Sequence, residues 1–79
     1  MRAEVFKELL IRHPFRPFRI FTSSGKTYDI THPDIVIVLR SRVVIGVGES
    51  ADGIPDHLDH CALLHIERLE ELSSASAGT

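Results

Sequence analysis

Apolar residues occupy every position from Ile35 to Leu39, and a second run follows at Val43, Val44, Ile45 and Val47, with Arg40-Ser41-Arg42 between them. A strand that is apolar at each position has both faces shielded from water, whereas a sheet with one wet face alternates apolar and polar residues. The two runs therefore predict adjacent strands over 35–39 and 43–48, turning through Ser41-Arg42, in a closed barrel or against a second subunit. Gly46 and Gly48 predict a bulge or sharp bend in the second of them.

Upstream, Val5, Phe6, Leu9 and Leu10 recur at i, i+1, i+4 and i+5, which predicts a helix over 2–12 with one apolar stripe. Lys7, Glu8 and Arg12 fall on its wetter side, and Glu8 with Arg12 forms an i,i+4 pair worth about 0.3 kcal/mol. Pro14 ends the helix, because the residue before a proline is pushed out of the α region. Residues 14–17 then form an extended connector. Two alternating stretches follow, 18–22 with Phe18 and Ile20 on the face opposite Arg19 and Phe21, and 27–31 with Tyr28 and Ile30 inward. Ser23-Ser24-Gly25-Lys26 turns between them, with the glycine free to adopt positive φ. His32-Pro33-Asp34 interrupts pairing, with His32 expected to cap the turn, and residues 49–55 form a loop.

The stretch 56–72 fits two periods. Leu58, Ala62, His65, Ile66 and Leu69 suit a helix, and Leu58, His60, Ala62, Leu64 and Ile66 suit a strand. The reading adopted is a turn near 59–62 followed by a last strand at 63–68. Residues 73–79 are small and polar, and are expected to be a disordered tail behind a single domain at 1–72.

Composition narrows the setting. A chain of 79 residues holds one domain, and at that size burial covers only about 60% of the unfolded surface, so assembly is a natural source of added stability. The single cysteine excludes an intramolecular disulfide, and Cys61, flanked by Ala62, Leu63 and Leu64, reads as an inert core thiol in a reducing compartment. Residues 1–12 mix charges with apolar positions, which does not fit a signal peptide, and no apolar run is long enough to span a membrane. The expectation is a cytoplasmic protein. A formal charge of −2 and a pI near 6.2 argue against long-range attraction to polyanions.

No set of residues assembles a catalytic constellation, so the chain is expected to be non-enzymatic and to need no cofactor. His32 beside Asp34 has the chemistry for proton transfer but no accompanying nucleophile. His57-Leu58-Asp59-His60, near Asp56 and His65, has the donors of a divalent-metal site, although residues three apart on a strand face opposite ways and converge only on a turn or helix. Arg16, Arg19, Lys26, Arg40 and Arg42 concentrate positive charge, and Phe21 lies on the Arg19 side of its strand. Arg19, Phe21, Arg40, Arg42 and His60 are thus a candidate surface for single-stranded nucleic acid or a protein partner. Glu67, Glu70 and Glu71 make the opposite, acidic end, which favours head-to-tail contact between copies.

The stretch 4–69 resembles the bacterial Sm-like RNA chaperone family: a helix, a proline-led strand with Phe18 and Ile20, turn glycine Gly25, apolar Tyr28, Asp34 before an apolar strand, then His60, Ala62 and Ile66. Phe15-Arg16-Pro17-Phe18 and His32-Pro33-Asp34 more closely resemble a group of short bacterial proteins to which no activity is attached. The Sm-like resemblance implies rings built by pairing edge strands, binding of uridine-rich RNA, and a place for His60 and Asp34 near the RNA site. Asp59 stands where that family carries lysine. The expected architecture is α+β and mainly β, an N-terminal helix before a five-stranded SH3-like or Sm-like small barrel. The expected role is a binding or assembly module, homo-oligomeric through strand edges. The alternatives are an RNA-binding ring and a metal-binding protein using His57 and His60.

Overall fold

A computed structural model of the chain describes residues 1–48 and 54–72, so the expectation of a disordered tail at 73–79, and most of the loop at 49–55, lie outside the described residues. Among the described residues the fold is α+β and mainly β. Helix α1 (Ala3–Ile11) precedes six strands, β1 (Phe18–Thr22), β2 (Thr27–Ile30), β3 (Val36–Val38), β4 (Arg42–Val47), β5 (His57–Ala62) and β6 (Ile66–Glu71), with single 3₁₀ turns at Pro33–Ile35 and Leu63–His65. They make two three-stranded antiparallel sheets, sheet A in the order β2-β1-β6 and sheet B in the order β3-β4-β5.

This corrects the expected five-stranded closed barrel in two places. Pro33 has no N–H to give a ladder, and the chain there tightens into a 3₁₀ turn, so β2 and β3 belong to different sheets. The ambiguous stretch 56–72 is two strands and not one: it pairs first with β4 and then, past Leu63–His65, with β1. The turn expected at 59–62 lies inside β5.

The hairpin reading of β1 and β2 holds. Phe18 and Ile20 are fully buried, Tyr28 and Ile30 face the same interior, and Gly25 turns the chain at φ +91°. Of the bulge or sharp bend expected at Gly46 and Gly48, the bend is found at Gly48, φ +77°, while β4 runs past Gly46 in regular pairing; a further irregularity lies between Phe21 and Thr22, where β1 shifts register against β6.

Helix α1, nine residues long, is too short to persist alone in water. Phe6 fixes it, buried completely and set edge-on to Phe18 at 6.2 Å between ring centroids. The rest of the expected stripe is less covered: Leu9 and Leu10 are half-buried and Val5 is exposed. Arg12 reaches Glu71 at 2.7 Å in place of the expected Glu8, because β6 brings that carboxylate beside the helix end. Cys61 is buried in the core as expected, and burial pushes its thiol up. No helix among the described residues is long and apolar enough to cross a membrane.

Candidate assembly surface

Sheet B carries its apolar residues on both faces. Val36, Val43, Ile45 and Cys61 point into the core shared with sheet A. The outer face alternates with them, so Ile37, Val44 and His60 form one cross-strand row, with Arg42 and Ala62 on one side and Gly46 and Leu58 on the other. Val44, in the middle strand, is buried. Its apolar neighbours are not: Ile37 is 57% exposed, Leu58 58%, and Leu64, just beyond β5, 90%. At Gly46 the Pro55 ring takes the space of a side chain, since a Cβ there would meet Pro55 Cγ at 2.7 Å. The expectation that both faces of these strands lie away from water is met by β4 and not by β3, which is an edge.

Strand β5 is the other edge of sheet B and is six residues long. Leu63 N donates to Ser41 O, and Leu39 N donates to Arg42 O. Through the antiparallel alternation these bonds place Asp59 and Cys61 in bonded pairs with β4, and leave the N–H and C=O groups of Leu58, His60 and Ala62 directed away from it. Exposed edges are ordinarily guarded by charge, proline or brevity. The other three edges have such guards: β6 carries Glu67, Arg68, Glu70 and Glu71, β2 carries Asp29, and β3 has three residues. On β5 the one acid, Asp59, turns inward.

That inward acid ties the two sheets together. Asp59 accepts hydrogen bonds from Lys26 Nζ at 2.8 Å and from the Tyr28 hydroxyl at 2.9 Å, both from the β2 side, and His57 Nε2 stands 3.7 Å from its other oxygen. The Lys26 and Tyr28 bonds hold the Asp59 carboxyl below the usual carboxylate range, and the Asp59 bond raises Lys26. Burial, then the bond to Asp59, pushes the Tyr28 phenol up.

The five residues expected to share one surface are divided. Arg19 and Phe21 lie on the outer face of sheet A, where Arg19 makes a two-pronged pair with Asp29 at 2.6 and 3.0 Å and the Arg68 guanidinium stacks on the Phe21 ring at 3.8 Å. Arg40, Arg42 and His60 belong to sheet B. Arg42 and His60 share a shallow cleft with Ser41, Ala62, Leu64 and His65, while Arg40 lines a separate groove beside the start of α1. His57 and His60 lie on opposite faces of β5, and among the described residues no group of three His, Cys, Asp or Glu side chains is placed to hold a metal ion. His32 flanks its 3₁₀ turn without a side-chain cap, contrary to expectation. The acidic end is largely occupied, Glu71 by Arg12 and Arg16, which hold its carboxyl low, and Glu70 by Arg68. Sequence reasoning missed Asp59 as an anchor; a buried tyrosine hydroxyl at position 28 was the available signal, since such a group seeks a partner.

Compared with known protein families, curated proteins and solved structures, the chain matches none of them.

Proposed function

We propose that this domain is a non-catalytic assembly module that associates with copies of itself through sheet edges, with β5 as the pairing strand. The observation that carries this reading is that, among the described residues, the edge of β5 has no guard and its outward backbone groups lie next to exposed Leu58 and Leu64. A helix leading into antiparallel strands accords with an Sm-like layout, and a cytoplasmic setting accords with the buried, unpaired Cys61.

Ala62→Pro tests the edge. Ala62 already has φ −67°, the value proline imposes, and its N–H points away from β4, so the substitution removes an outward donor at little cost to the fold. Light scattering behind size exclusion is expected to give a multimer for the native chain and a smaller species for Ala62→Pro. An unchanged mass in the variant would remove the edge from the reading. The cleft of Arg42, His60 and His65 supports a second reading, binding of single-stranded RNA. Fluorescence anisotropy with a labelled short oligouridine checks it, and no binding by the native chain sinks it.

A further inference from the structure

Sheet B has a property that edge pairing leaves unused: its outer face is apolar in the middle, and exposed charges of opposite sign stand at its two ends. Ion pairs elsewhere in the fold join Arg2 with Glu4, Arg12 and Arg16 with Glu71, Arg19 with Asp29, Lys26 with Asp59, and Arg68 with Glu70. Among the described residues no ion pair engages Arg42, on the outer face at the β3-β4 turn, Arg40, at the same turn beside the start of α1, or Asp34 and Asp56, which flank the far end of the same strands. The two ends are separated by the length of β4, about 20 Å at ~3.3 Å per residue. Between them stand the exposed side chains of Ile37 and Leu58.

We propose that this face packs on the same face of a second copy. The proposal goes beyond edge pairing and does not depend on it. Two sheets stacked face to face can be related by a two-fold axis along the strands or across them. An axis along the strands sets Arg40 and Arg42 against their own counterparts, which is repulsive. An axis across the strands, along the row of Ile37, Val44 and His60, reverses the second copy and lays its arginine end over the aspartate end of the first, twice. Charge therefore selects the second arrangement. Three strands at ~4.8 Å spacing and about 20 Å in length offer a footprint on the order of 300 Å² per copy before side chains spread it, below the ~800 Å² of a standard interface, so the contact belongs in the weak class and responds to salt.

The test changes charge alone, in the native chain, and leaves β5 and Ala62, which stands on this face, as they are. In sedimentation equilibrium at high micromolar concentration Arg40→Glu/Arg42→Glu and Asp34→Lys/Asp56→Lys are each expected to fall to about half the native mass, with circular dichroism and thermal melts confirming that they fold. Mixed in equal amounts, they are expected to regain the native mass, because each altered end then meets its opposite. The native mass kept by either charge variant, or a mixture that stays at the reduced mass, would overturn the proposal, including the case in which another protein covers the face. Loss of mass in Ala62→Pro with none in the charge variants leaves edge pairing standing without this contact.

Discussion

At the scale of single residues, two contacts have measurable weight. Gly46 gives up its side-chain space to the Pro55 ring, so Gly46→Ala overpacks that contact, and chemical denaturation is expected to show a loss of about 1–3 kcal/mol. The same substitution in a Pro55→Ala chain should cost clearly less, because the obstructing ring is gone. Asp59 gives a pH signature. Its carboxyl titrates below the usual range in the folded protein, so its contribution is complete above the unfolded value of about 3.9 and is lost as pH falls through the lower folded value. Lys26, raised by the same bond, contributes fully below about 10.4 and loses its contribution as pH climbs through the higher folded value. Asp59→Asn is expected to flatten the acid limb of a stability–pH curve, leaving what Asp29 and Glu71 supply, since both are also held low by arginine partners. Neither contact was legible from spacing alone: Pro55 reaches Gly46 across a loop, and Asp59 reaches Lys26 and Tyr28 across two sheets.

At the scale of elements, legibility followed the strength of the pattern. Phe18, Ile20, Tyr28 and Ile30 fall at strict two-residue spacing around a glycine turn, and the hairpin they predict is the hairpin observed. The stretch 56–72 offered Leu58, His60, Ala62, Leu64 and Ile66 as a set that suits a strand, yet of these only Ile66 is buried, and in β5 it is Asp59 and Cys61 that face the core while Leu58 and His60 face out. Hydrophobicity misled there because the outer face of sheet B is itself apolar, so the usual inside–outside contrast is missing. Helix α1 was legible in position, and of its apolar stripe Phe6 alone is fully buried while Leu9 and Leu10 are half-buried against the core. Phe6→Ala is accordingly expected to cost about 3–5 kcal/mol in denaturant melts and to release the helix, as near-complete amide exchange over residues 3–11 would report.

At the scale of the whole molecule, the exposed apolar residues separate stability from association. Ile37→Lys and Leu58→Lys remove side chains that are more than half exposed, so the dilute chain should keep its stability within about 0.5 kcal/mol. Self-association measured on the same samples should fall, and a matching loss of stability would instead place these side chains among the fold's own supports. The candidate surface was legible in its ingredients and illegible in its grouping, because the sequence holds no sign that Arg40 turns to the groove beside α1, or that Arg19 and Phe21 turn to the other sheet and find partners in Asp29 and Arg68. The pairing of β1 with β6 has a consequence in time. Phe18 faces Glu71 across that ladder, so the middle strand of sheet A emerges from the ribosome long before the neighbour that completes it. Throughout the intervening synthesis β1 has a partner on one side only, and a nascent chain in that state offers the open side to any extended segment nearby.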